Sequence, residues 1–387
     1  MHQIHLKIQY LLRKEINELY ITNAIRAFAI STVSIFIPLF LLRNDYSIMQ
    51  VSAFVLLELL IGVIACYYGL KLASSKGVKH VMVYSIPLMI LNFLMLYNIS
   101  GMRFAFGEFG ALFFIALSQA LGGAFYYMGF HLEFAKFSNR VKSVKQVGIT
   151  NILMTIGAAI GPLIGSEIIT RFSFNVLFLI VIGLLSLSMI PLFMTKEHHI
   201  PFVFNFKIDS KEFREAMVYF GEGVRDMSTR IIWPILFYIL FSTFTSIGAV
   251  YAFANTILIV TTYYLGKKIH HSNKLKILKF GTYLHAVSLI IRTIVKTLAS
   301  LTAVMGFGAF TWTLVALPFM SIFYNNTKKK GLGTHIFFRE LFLGAGRAFE
   351  VIILIILLGF FSIKTSLIIA IIISSAFLLL MGLIREE

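Results

Sequence analysis

Twelve runs of roughly twenty mostly apolar residues dominate the chain, and each is long enough to cross a hydrocarbon core as a helix. They occupy residues 19–42, 51–72, 81–99, 110–129, 147–170 and 176–194, then 226–244, 247–265, 277–298, 301–323, 336–358 and 366–384. Helix is expected throughout, because a backbone surrounded by lipid must satisfy its own N–H and C=O groups. The runs are too long and too uniformly apolar for barrel strands. Only 13% of the residues are charged, about half the roughly 25% of a soluble domain. That excludes an ordinary soluble protein, a disordered chain and a disulfide scaffold. The single cysteine, Cys66, lies inside an apolar run and reads as inert filler.

The longest polar stretch, 195–225, divides the runs six and six. The expected plan is therefore an all-α polytopic membrane protein of twelve transmembrane helices. An amphipathic surface helix over 1–18 precedes a six-helix bundle over 19–194. A central loop over 195–225 leads to a second bundle over 226–387. Residues 1–18 carry Arg13, Lys14, Glu15 and Glu18 and do not read as a cleavable signal peptide. The net charge is +17, and its distribution reports topology. Twenty-four of the 34 lysines and arginines fall in one set of loops and tails, and five in the alternate set. That bias predicts cytoplasmic termini and a cytoplasmic central loop in the cell membrane. Cations spread over so many loops do not form a nucleic-acid surface. The pairs His198–His199 and His270–His271 sit in basic loops and read as solvated, so no metal site is expected.

The fifth run carries Gly148-x8-Gly157-x3-Gly161-Pro162-x2-Gly165-Ser166. Gly157, Gly161 and Gly165 are four apart and form a smooth stripe for close helix packing. Pro162 removes a donor and bends the helix. This spacing resembles the antiporter motif of the major facilitator superfamily, with Ser166 departing from the usual second glycine. The loop after the second run, Gly69 to His80, is similar to that family's gate loop. Leu72, Ala73, Gly77 and Lys79 match, and Ser74 stands where the family has an acid. In the family this loop helps lock the cytoplasmic gate, so Lys76, Gly77 and Lys79 are gate candidates. The missing acid puts the usual lock in doubt. The stretch Gly266 to Lys274 repeats the pattern of glycine then cations, which supports an internal duplication. No arginine accompanies Gln119 in the fourth run, where the family's proton-coupling arginine would stand.

Ionisable residues inside a span are costly and are functional candidates by default. The eleventh run holds Arg339, Glu340, Arg347 and Glu350 within one arc of about 100°. Arg347 and Glu350, three apart, could pair. Glu222, Asp226 and Arg230 recur every fourth residue at the entry to the seventh run and form a second gate candidate. Arg26 and Glu58 lie within the first and second runs and could approach each other. Arg26, Glu58, Asn151, Glu340, Arg347 and Glu350 are the candidates for substrate binding and proton coupling. Arg292 reads as structural. His131 and His285 read as helix-end or packing residues.

No P-loop, His-Glu-x-x-His or serine elbow occurs, so no enzyme activity, catalytic residue or cofactor is expected. The resemblance implies a secondary transporter in which two bundles rock about a central site. Phe125, Tyr126, Tyr238 and Trp312 are expected on the cavity wall. Such a wall suits a small amphipathic or hydrophobic solute, with export and proton coupling as the favoured mode. The expected partners are lipids, the solute and protons, and the chain is expected to be a monomer. The alternative is a non-transporting protein of the same fold, acting in lipid handling or as an assembly partner.

Overall fold

The computed structural model describes residues 2–137, 143–194, 196–200, 210–241, 243–269 and 273–386. Helices account for nearly all of them. The first half comprises α1 (His2–Ser31, continued past a 3-10 turn by Ile37–Arg43), α2 (Ile48–Lys76), α3 (Val78–Tyr97), α4 (Ile99–Phe137), α5 (Ser143–Arg171) and α6 (Phe174–Ser188). The second half comprises α7 (Ser210–Met227, a π segment Ser228–Ile232, then Trp233–Phe241), α8 (Phe244–Lys268), α9 (Lys274–Ile294), α10 (Leu298–Lys330), α11 (Leu332–Phe360) and α12 (Ile363–Leu378).

Eleven of these segments are long and apolar enough to cross a membrane. The twelfth, α7, carries Arg225, Asp226 and Arg230 near its centre and breaks its hydrogen-bond ladder there. Two expectations about boundaries change. Residues 2–16 are helical and continuous with the first span, although their side chains lie outside the described residues. The polar stretch expected as loop becomes helix from Ser210 onward. There Ala216, Val218 and Tyr219 bury one strongly apolar face of an otherwise polar sequence, which is enough to hold a helix outside lipid.

The packing repeats with a period of six helices. In the first half α1 lies against α5 and α6, α4 against α2 and α3, and α3 against α6. In the second half α7 lies against α11 and α12, α10 against α8 and α9, and α9 against α12. The halves meet along two seams, α2 on α11 and α5 on α8. Shifting every helix by six turns one seam into the other. The internal duplication inferred from two loops therefore extends to the whole helix arrangement.

Glycine makes the tightest contacts possible. A Cβ on Gly161 would run into Ser31 Oγ, and one on Gly165 into the Thr32 carbonyl. Gly157 packs on Phe28 of α1, less tightly, with a Cβ there coming to 2.9 Å. The stripe of α5 is thus the bed for the end of α1, and Ser31 Oγ donates to the Gly157 carbonyl at 3.1 Å. The equivalent contact in the second half uses Gly223 against the Leu343 carbonyl and Gly346 against the Phe220 carbonyl. Ser166, the departure from the family pattern, is fully buried on the other face of α5, against Gly248 of α8.

Candidate functional site

A cavity of about 160 Å³ lies between the halves. α1 contributes Arg26 to its lining, α2 Glu58 and Cys66, α4 Gln119 and Tyr127, α7 Arg230, and α11 Glu340 and Arg347. Aliphatic side chains such as Val33, Val55 and Leu59 form much of the rest. A second cavity of about 310 Å³ is lined by His131, Trp312 and Tyr324 among others. Tyr127 lines both cavities and forms the partition between them.

The charges on this wall form two linked groups. Asp226 of α7 accepts from Arg347 Nε at 2.9 Å and from Arg230 Nη1 at 3.4 Å. One turn away, Arg339 of α11 donates to Glu222 of α7 at 3.2 Å and to Glu340 at 2.7 Å. Glu340 in turn faces His131 of α4 at 4.0 Å. His131 Nδ1 lies 2.9 Å from the Tyr324 hydroxyl of α10. Carboxylates and guanidiniums in a low-dielectric interior need such partners, because either ion alone would cost several kcal/mol.

Two cavity residues stand outside these pairs. Glu58 makes no ion pair among the described residues, and Arg230 and Arg347 are the charged groups that act on it. Arg26 has no carboxylate partner either. Its guanidinium lies 3.8 Å over the Tyr126 ring and 5.0 Å from that of Tyr127, and its Nε donates to nothing. Stacking on the electron-rich ring faces offsets part of its desolvation. Arg26 and Glu58 share a cavity but do not pair.

The remaining candidates are distributed unevenly. Arg347 pairs with Asp226 rather than with Glu350, because the partner offered by α7 is better placed than the one three residues along its own helix. Glu350 is completely buried, lines neither cavity, and both its oxygens lack partners. The side chain of Asn151 lies outside the described residues, as do 270–272 of the second gate loop. Of the expected aromatics, Trp312 lines the second cavity, Phe125 packs on Gly69, and Tyr238 stacks on Phe244. Tyr126 is buried beneath Arg26. Tyr127 and His131 have the roles that sequence reasoning did not assign.

The loop between α2 and α3 has its own acid. Gly77 adopts φ 108°, which permits the tight reversal. Glu197, from the stretch after α6, accepts from the backbone N–H groups of Lys79 at 2.9 Å and His80 at 3.0 Å. His80 Nδ1 lies 2.6 Å from the same carboxylate. A carboxylate distant in sequence thus caps the start of α3, beside the loop in which Ser74 replaces the family's acid. Lys79 does not face lipid phosphates. It is buried, and its Nζ pairs with Glu18 of α1 at 3.1 Å. The second half repeats the arrangement at the start of α9, where buried Lys274 pairs with Glu386 at 2.7 Å.

The halves touch through aromatic side chains on both sides of the cavity region. On the side bearing the termini, Phe134 of α4 meets Tyr324 of α10 with ring centroids 4.5 Å apart. On the opposite side, Phe244 of α8 packs on Phe36 and Phe174 of the first half at 5.8 Å.

No protein-family model matches the chain, and no curated protein matches it in sequence. Solved structures do. The chain superposes on the human organic anion transporter MFSD10 (TETRAN) with a TM-score of 0.69 at 12% identity, covering 96% of this chain and 98% of that one. The fold is that of the major facilitator superfamily. FucP, a transporter of the superfamily in its outward conformation, matches with a TM-score of 0.65 at 13% identity, covering 95% and 97% of the two chains. Such coverage takes in both six-helix halves, so the two seams and the six-helix repeat belong to one complete facilitator fold in a multi-pass membrane protein.

Proposed function

We propose that this protein is a secondary transporter of a small amphipathic solute, working by alternating access. The observation that carries the reading is the cavity itself. It lies between two repeated halves, takes its lining from both, and is bounded by aromatic contacts on each side. Opening the Phe134–Tyr324 contact would admit solute from the side of the termini. Opening the Phe244 cluster would release it opposite. The facilitator fold, shared with an organic anion transporter, supports the same reading.

The aliphatic wall receives the apolar body of the solute, while Arg26, which has no carboxylate partner, reads its polar end. Solutes of this kind partition into the bilayer, which favours export. The lysine and arginine bias supports cytoplasmic termini in the cell membrane. We assign proton coupling to Glu58. It lines the cavity without an ion pair, so it can exchange a proton with whichever side is open.

Everted vesicles containing the protein decide the matter. Uptake of amphipathic organic anions and neutral drugs should fall to the empty-vesicle level when the pH gradient is collapsed. Uptake indifferent to the gradient would remove the coupling assignment. No uptake of any compound in a broad panel, in either direction, would remove the transport reading.

A further inference from the structure

A second polar site lies inside the second half, away from both cavities. Arg292 of α9 is 4% exposed, and its Nε and Nη1 have no hydrogen-bond partner among the described residues. Among the described residues no carboxylate acts on it, and Tyr251 of α8, His285 of α9 and a second buried guanidinium, that of Arg225, lie within reach of its field. Around it gather other buried donors without partners. They are the Ser288 hydroxyl one turn earlier, the Tyr251 hydroxyl, and the indole N–H of Trp233 from α7. The guanidinium carbon lies 5.7 Å from the Trp233 ring centroid. Gly308 of α10 lets Arg292 and Ser288 lie side by side against that helix, since a Cβ there would run into Arg292 Nη2 and Ser288 Oγ.

Every free group in this set can donate a hydrogen bond, and the one formal charge is positive. A guanidinium does not lose its proton at physiological pH. A buried polar group without a partner costs free energy, and a buried charge costs more. An anion accepting from these donors removes both costs at once, whereas a further donor could satisfy only the two hydroxyls and would leave the guanidinium, its charge and the indole N–H unmet. We propose that Arg292, Ser288, Tyr251 and Trp233 form a binding site for one small monovalent anion, such as a halide or a small carboxylate. The site lies within the second half, so its occupant stabilises that half and does not move with the solute.

The test uses the purified full-length chain and no transport. Melting is followed in sodium chloride, sodium bromide and sodium acetate. Sodium gluconate, too bulky for the site, holds ionic strength constant. Chloride or acetate should raise Tm by a few degrees along a saturable curve, as expected for a ligand that binds only the folded state. Bromide should also quench Trp233 emission along a saturable curve, read in a Trp312→Phe background because the chain has two tryptophans. Arg292→Met should abolish both responses, and Tyr251→Phe should weaken the midpoint severalfold. If Arg292→Met fails to fold, Tyr251→Phe alone carries the test. Equal Tm in chloride, acetate and gluconate would overturn the proposal, as would an undiminished response in the variant that folds.

Discussion

Asp226 and Arg347 join α7 to α11 through two contacts, from Nε at 2.9 Å and from Nη2 at 2.8 Å to the same carboxylate oxygen. The pair lines up the mouth of one helix with the cavity wall on another. Replacing Asp226 with Asn leaves Arg347 short of its counter-charge. The expected loss is about 2 kcal/mol, the range for hydrogen bonds to charged groups. Melting of Asp226→Asn, Arg347→Gln and the double variant measures it. The double variant should lose less than the sum of the singles, because the two residues share one interaction. Additive losses would break the link.

Glu58→Gln keeps the shape of the cavity and removes the exchangeable proton. Gradient-driven uptake should drop at least tenfold, while the variant should still bind solute, read as a substrate-induced rise in Tm. Wild-type dependence on the pH gradient in Glu58→Gln would reassign coupling to another group, and Glu350→Gln is then the next variant to measure.

Cys66 is the chain's single cysteine and lines the central cavity, where it is 7% exposed. It reports access without any added mutation. Labelling by a membrane-impermeant maleimide should be slow in the resting protein. It should change severalfold when a transported solute is present, and only from the side to which the cavity opens. A rate unaffected by solute from both sides would mean that the cavity does not alternate.

Burial pushes the Glu197 carboxyl up, but the N–H groups of Lys79, His198 and His80, with the His80 ring, outweigh it and hold the acid below its usual value of 4.5. A carboxylate depressed in the folded state adds stability that is complete above the unfolded value and disappears as pH falls through the folded one. The contribution of this residue to Tm should therefore be full and independent of pH at pH 6–7 and decline below about pH 4.5, with a shallower decline in Glu197→Gln. Removing the cap should itself cost about 1 kcal/mol at neutral pH. Identical pH profiles for the two proteins would show that the cap contributes nothing.

Gly161→Val places a branched side chain where Ser31 already sits. Overpacking of this kind costs about 1–3 kcal/mol. The variant should melt lower and run as a broader peak in size-exclusion chromatography. Gly183→Val, with open space at its Cα, is the control that should not.

The architecture was legible because span length and lipid solvation act on each segment alone. Twelve apolar runs give twelve helices whatever their neighbours do. Partners were less legible, because they are chosen between segments. Arg347 and Glu350 looked like a pair at a spacing of three, yet the nearer acid in space belongs to α7. Glu197 could not be matched to the loop after α2, because nothing in the intervening 117 residues signals the approach. His131 looked like packing until Glu340 and Tyr324 were set beside it by α11 and α10. Arg292 looked structural, and only the absence of any facing carboxylate gave it another role. The clearest available signal for the cavity was the density of charges on α7 and α11, two of the helices that line it alongside α1, α2 and α4.

The six-helix repeat has an energetic consequence. Six spans is an even number, so the two halves run the same way through the membrane, and exchanging identical halves would return the same form, open to the same side. The repeat therefore leaves the two forms free to differ in energy, and the resting preference is set by the side chains that close each side. The linked charges Glu222, Asp226, Arg339 and Arg347 all belong to the second half, while Arg26 and Glu58 belong to the first. The charges of the second half tie α7 to α11 and have no copy in the first among the described residues, so substitutions there should alter the packing of one half alone, even where they touch no solute.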